Sequence, residues 1–84
     1  MLNVEGSRVE YEKLVETTKE CLESTGTRYI ELYFTPIKAG YVVEVFPELS
    51  YALLEDLATC ISRKLGLSAE LRTRPYGVVV VVKG

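Results

Sequence analysis

The chain has 84 residues, of which 48% are hydrophobic and 26% charged, with a formal net charge of −2 at pH 7. These values describe a single folded domain over residues 1–84 and exclude an intrinsically disordered chain. No apolar run approaches the roughly 20 residues of a membrane-spanning helix. The first five residues lack the basic start and apolar core of a signal peptide, so we expect a cytoplasmic protein with no membrane partner.

Several function classes are disfavoured by residue type alone. The chain contains no histidine, which removes the commonest general base near neutral pH and the commonest zinc ligand. Glu55 and Asp56 are neighbours on a predicted helix, so their side chains project about 100° apart and do not converge as a catalytic pair would. We therefore predict no catalytic residues, no metal site and no cofactor.

The first third of the chain predicts one helix, preceded at most by a short strand over residues 2–5. Residues 7–10 have the pattern of a capping box, in which Ser7 and Glu10 satisfy free N–H groups at a helix start. Apolar or small side chains then recur at helical spacing, at Tyr11, Leu14, Val15, Thr18, Cys21 and Leu22. Gly26 marks the end of this helix.

Residues 28–34 and 41–46 predict the two strands of a hairpin. The first segment alternates, which places Ile30, Leu32 and Phe34 toward the core and Tyr29, Glu31 and Tyr33 outward. Residues 35–40 form the connection. In the second segment we expect the core-facing side chains to be Tyr41, Val43 and Val45, with Val42, Glu44 and Phe46 outward.

The second half of the chain predicts a helix and a second pair of strands. Pro47 suits a first helical turn, and Ser50 is the alternative N-cap. A broad apolar stripe follows and ends at Gly66. Residues 69–74 alternate as a strand, and residues 78–82 are five consecutive valines. Because successive strand side chains point to opposite faces, an unbroken valine run predicts a strand buried on both faces.

The predicted order is αββαββ, which indicates an α+β domain of two layers, with two helices on one face of a mainly antiparallel four-stranded sheet. If the strand over residues 2–5 forms, the leading elements resemble a ferredoxin-like βαββαβ core, a likeness of topology that implies no activity. The αββα core is also similar to type II KH-like modules and to the N-terminal domain of ribosome-maturation factors. The chain has no GxxG loop of the kind that clamps phosphates, so we assign no family.

Cys21 and Cys60 are the only cysteines, and both lie at apolar positions of the predicted helices. We expect buried free thiols, because free cysteine is among the most buried residue types. The alternative is a disulfide between the two helices, which cytosolic proteins rarely keep outside hyperthermophiles. A redox-active thiol is the third alternative.

The outward face of the sheet is the predicted interaction surface, because two helices cannot cover both sides of a valine strand. It consists of Tyr29, Tyr33, Val42, Phe46, Arg72, Arg74, Val79 and Val81. We expect a binding or assembly protein that forms a homodimer through the sheet face or a sheet edge. Single-stranded RNA is the alternative ligand, stacked on tyrosines and neutralised by the C-terminal arginines. A different protein that adds a strand to the sheet is a third.

Charge is divided along the chain. Residues 1–56 carry eleven acidic side chains against five basic ones, whereas residues 57–84 carry five basic side chains against Glu70 alone. Such a division is typical either of complementary self-association or of two solvated faces.

Overall fold

Two apolar stripes and four extended segments become two helices and four strands in the computed structural model, which describes residues 9–84. The helices are α1 (Tyr11–Ser24) and α2 (Tyr51–Leu65). The strands are β1 (Glu31–Ile37), β2 (Gly40–Phe46), β3 (Ser68–Arg74) and β4 (Gly77–Lys83). The predicted α+β class and the αββαββ order are therefore confirmed.

The four strands form one sheet in the order β1-β2-β4-β3, and every pairing between them is antiparallel. The valine strand β4 is thus an inner strand. Its side chains divide between the two faces: Val80 and Val82 join the core beneath the helices, while Val79 and Val81 form a separate buried cluster with Val42. The prediction that this strand is buried on both faces is confirmed.

The main core lies between the helices and one face of the sheet. Its largest fully buried apolar side chains come from both layers and include Leu14, Leu22, Ile61, Val43, Val80 and Val82. Each is an aliphatic residue whose burial contributes roughly 1.5–3 kcal/mol. The helices therefore cover one face of the sheet and leave the other face without a helix over it within residues 9–84.

Helix α1 begins later than the capping-box pattern predicts. Its N-cap is Glu10, whose backbone is extended and whose side chain makes no capping hydrogen bond. Ser7 lies outside the described residues. Val9 precedes the N-cap and packs in the same core cluster as Leu14, four residues into the helix, which is the arrangement of a hydrophobic staple. Apolar packing thus sets the helix start.

Strand β1 is displaced toward the C-terminus relative to the prediction of residues 28–34. It runs through Pro36 to Ile37 and meets β2 across a two-residue turn, Lys38-Ala39. The prediction places Pro36 in the connection, but an edge strand tolerates proline because the missing N–H points away from the ladder. Ile30 consequently lies before the strand and is 81% exposed, so the prediction that it faces the core is wrong.

Helix α2 begins at the second of its two predicted starts. The side-chain oxygen of Ser50 accepts a hydrogen bond from the N–H of Leu53 at 3.2 Å, whereas Pro47 lies outside the helix and follows a cis peptide bond. At the other end Gly66 adopts the left-handed conformation, with φ 67°. The predicted stop at Gly66 is confirmed.

The two helices are joined covalently. Cys21 in α1 and Cys60 in α2 form a disulfide with an S–S distance of 2.06 Å. Of the alternatives that the sequence allowed, the structure has the disulfide, and the expectation of free thiols is not what it shows. Cys21 is buried and Cys60 partly buried, and the apolar stripes that carry them are the same stripes that bring α1 against α2.

Within residues 9–84, neither helix is long and apolar enough to cross a membrane. The predicted N-terminal strand over residues 2–5 lies outside the described range, and the ferredoxin-like variant of the fold that depends on it stays a prediction.

Candidate interaction surface

The centre of the outer sheet face is closed within one chain. Val42 on β2 and Val81 on β4 are directly opposed in the sheet, and with Val79 they form the second buried cluster. Val79 is 2% exposed and Val81 4%. The expectation that these three valines are exposed is therefore wrong, whereas their placement on the face away from the helices is right.

An aromatic corner remains open at one end of this face. Tyr33 on β1 and Phe46 on β2 are 46% and 41% exposed, and their rings meet edge to face with centroids 5.3 Å apart. Aromatic side chains of this kind are enriched where proteins bind partners. Both residues were predicted to belong to the interaction surface, and the structure brings them into contact.

Glu31 binds the Tyr33 hydroxyl at this corner and changes its pKa. Its carboxylate accepts a hydrogen bond of 2.8 Å from the hydroxyl of Tyr33. That hydrogen bond, followed by the negative charge of the same carboxylate, raises the pKa of the Tyr33 phenol above its ordinary value of 10.0. Tyr33 is therefore held neutral and its hydroxyl is already engaged.

Tyr29 does not belong to the outer face. It precedes β1, and its partly buried side chain packs against the core cluster under the helices. It borders a shallow depression together with Glu16, Lys19 and Glu20 of α1. The prediction that Tyr29 lies on the outer face is wrong because the alternation of strand β1 begins only at Glu31.

The charged residues of β3 lie on the opposite side of the outer face from the aromatic corner. Glu70, Arg72 and Arg74 are all exposed. The guanidinium of Arg72 contacts the carboxylate of Glu70 at 3.4 Å. Both predicted arginines are therefore accessible, but one of them is already paired within its own strand.

Glu48 is a feature that the sequence patterns did not indicate. The pairing of β2 with β4 covers Gly40–Val43 only, and beyond it the two strands border a narrow cleft. The Glu48 carboxylate lies at this cleft and accepts a hydrogen bond from the N–H of Val78 at 3.4 Å. A Cβ atom at Gly77 would lie 2.8 Å from the same carboxylate, so the glycine leaves room for Glu48 at this cleft.

The direction of the Val78 N–H establishes which peptide groups of β3 are free. Val78 is opposite Thr73, and its N–H points toward Glu48, on the β2 side and away from β3. In an antiparallel ladder, hydrogen-bonded and non-hydrogen-bonded pairs alternate. Ala69, Leu71 and Thr73 therefore direct their backbone N–H and C=O groups away from β4, toward the open edge.

The two edges of the described sheet differ. β1 carries Pro36, which has no N–H to offer and blunts that edge. β3 has no proline in its seven residues and presents outward peptide groups at every second position. Among the described strands, β3 is therefore the edge that is equipped to pair with a further strand.

Alternative kinds of site have little support in the described part of the chain. No group of three potential metal-ligating side chains (Cys, Asp or Glu here) comes together among residues 9–84. Both cysteines are in the disulfide. Two further depressions within the described range are lined largely by charged side chains.

No model of a protein family matches the chain, and a search of curated proteins also finds no match.

Proposed function

We propose that this is a small, non-catalytic binding and assembly protein that forms a homodimer through its four-stranded sheet. The observation that supports the proposal best is the open edge of β3, with outward peptide groups at Ala69, Leu71 and Thr73. An edge of this length that no other strand among residues 9–84 covers is a ready template for a further strand. A second copy of the chain can supply hydrogen-bond partners for these peptide groups without any other molecule.

Burial favours an edge over the outer face as the contact. The face would have to supply a contiguous apolar patch, but its central valines are already buried in the single chain. Its exposed aromatic side chains are those of Tyr33 and Phe46, which are flanked by the carboxylates of Glu31 and Glu44. Two such corners brought together would oppose like charges, so edge pairing is the better arrangement.

The small size of the chain is a physical reason for a dimer, because association stabilises the folded state. A domain of 84 residues buries only about 60–65% of the surface of its extended chain, so a staple or an association adds usefully to a small stability. The disulfide is one staple. Association stabilises the folded state further because it binds that state and not the unfolded one.

Solution mass tests the proposal. Light scattering or sedimentation at micromolar concentrations is expected to give a species of about twice 9.4 kDa, the mass of one chain. A single 9.4-kDa species across the micromolar range would contradict it.

A single-stranded RNA module is the second candidate, supported by the exposed rings of Tyr33 and Phe46 with Arg72 and Arg74 on the same face. Stacking contributes roughly 1–3 kcal/mol per base. The acidic net charge and the engagement of Arg72 by Glu70 weigh against it. Filter binding of a mixed RNA pool at low salt tests it, and retention should be lost in the double variant Arg72→Glu/Arg74→Glu.

A heterologous protein that adds a strand to β3 would use the same edge. Such a partner would compete with the homodimer for the same peptide groups. The two candidates are separated by the mass of the purified chain alone, because only self-association changes that mass.

A cytoplasmic location is part of this proposal, and the disulfide restricts it. Cytosolic thiols are normally kept reduced, and the intracellular proteins of hyperthermophiles are the main exception. We therefore propose that the protein is located in a cytoplasm in which protein disulfides persist. Rapid alkylation of thiols in intact cells, followed by mass analysis, would show whether Cys21 and Cys60 are bridged there.

A further inference from the structure

The open edge of β3 is complementary to itself in one register. Side chains of Ser68, Glu70, Arg72 and Arg74 point to the outer face, while Ala69, Leu71 and Thr73 point to the helix side. When two copies of a strand pair antiparallel about a two-fold axis, each residue faces the partner residue at the mirror position. The register therefore decides which charges meet.

Backbone geometry limits the registers to those in which outward peptide groups face each other. If Leu71 lies on the two-fold axis, it faces the partner's Leu71, and Ala69 faces the partner's Thr73. Each of these opposed pairs exchanges both of its backbone hydrogen bonds. All the outward peptide groups of β3 are then satisfied.

Charge selects the same register. With Leu71 on the axis, Glu70 faces the partner's Arg72 and Arg72 faces the partner's Glu70. Cross-strand pairs of opposite charge stabilise a sheet, whereas directly opposed like charges destabilise it. A shift of one step in one direction places Glu70 opposite the partner's Glu70, and in the other direction Arg72 opposite the partner's Arg72.

The helix side of β3 also fits this arrangement. Ala69 and Leu71 are half-buried and pack against the core beneath α2. In the pair, Leu71 meets the partner's Leu71 beside this core, so apolar surface that is incompletely covered in one chain is covered in two. The opposite edge lacks these properties, because β1 carries Pro36 and has Glu31 with no basic residue on its outward face.

We propose that two copies of the chain join β3 to β3 antiparallel, with Leu71 on the two-fold axis and reciprocal Glu70–Arg72 ion pairs between subunits. The result is one continuous eight-stranded sheet. This inference rests on the proposed self-association and names the surface that performs it.

Reciprocal charge reversal tests the register. Each of the variants Glu70→Arg and Arg72→Glu opposes like charges at two places in the interface. Each is expected to weaken the dimer by about tenfold or more when measured alone by sedimentation. An equimolar mixture of the two variants restores both ion pairs and is expected to form a heterodimer about as tight as the wild-type dimer. Lys38→Glu, at the exposed turn between β1 and β2, makes the same charge change away from β3 and should leave the dimer intact.

The outcomes separate the register from the proposed function. Wild-type chain that stays monomeric overturns both. A wild-type dimer that neither reversal weakens, or two weakened variants that do not associate with each other, overturns the β3 register and leaves self-association standing. Circular dichroism of each variant confirms that a change in mass is not a failure to fold.

Discussion

Cys21 in α1 and Cys60 in α2 are joined by a disulfide that spans 39 residues of sequence, with their Cα atoms 5.9 Å apart. The bridge connects the helix that precedes the first hairpin to the helix that precedes the second. It therefore ties together the two halves of a chain whose hairpins lie side by side in one sheet.

Reduction of this disulfide is expected to lower the free energy of unfolding by about 2–4 kcal/mol, because it releases a long closed loop in the unfolded chain. Denaturant titration with and without reductant measures the change. The double variant Cys21→Ala/Cys60→Ala is the control, since its stability should not respond to reductant. Two free thiols in the native, unreduced protein would contradict the bridge.

Gly40 is expected to be intolerant of any side chain. A Cβ atom there would overlap the carbonyl oxygen of Val82 on the neighbouring strand, so Gly40→Ala should cost about 2–3 kcal/mol of stability. Gly66→Ala is the matched control: Gly66 has φ 67° and open space around it, and only the backbone penalty of roughly 1 kcal/mol applies. Equal losses in the two variants would show that β2 and β4 are not this close.

Ser50→Ala is expected to destabilise the protein by about 1 kcal/mol, since the N–H of Leu53 would lose its acceptor at the start of α2. Ser50→Asp keeps a capping oxygen and should retain the wild-type stability. Thermal unfolding of the three proteins measures the difference. If the alanine and aspartate variants lose the same stability, the helix does not start at Ser50.

Tyr33 is expected to titrate above the ordinary tyrosine range. Glu31 accepts the hydrogen bond of the neutral phenol and raises its pKa, so the stabilisation by this contact is present below pH 10.0 and is lost as pH rises through the raised pKa. Glu31→Gln should lower the pKa of Tyr33 toward its ordinary value, and Glu44→Gln should change it less. Ultraviolet titration, with Tyr33→Phe to identify the signal, measures the shift.

The element order was predictable because the hydrophobic periodicity of each segment agrees with the positions of the glycines and prolines at its ends. The valine run has to be a strand covered on both faces, and the left-handed Gly66 has to end a helix. The position of β1 was not predictable to the residue. Its bounds are set by pairing with β2 across the two-residue turn Lys38-Ala39, which keeps the predicted alternation over residues 31–34 and extends the strand through Pro36.

The candidate surface was predictable only in part. Tyr33 and Phe46 were identified because alternation assigns their face correctly. The burial of Val42, Val79 and Val81 could not be read from a pattern, because exposure on a sheet face depends on neighbours distant in sequence. Glu48 was missed for the same reason: its bond to Val78 joins residues 30 positions apart.

Backbone amide exchange in β3 tests the central claim most directly. At concentrations where the dimer forms, the amides of Ala69, Leu71 and Thr73 should be protected, and this protection should disappear on dilution. The amides of Glu70 and Arg72, which bond to β4, should stay protected at both concentrations. Two results would contradict pairing of this edge between two copies of the chain. The amides of Ala69, Leu71 and Thr73 would exchange fast at every concentration, or they would exchange slowly at every concentration.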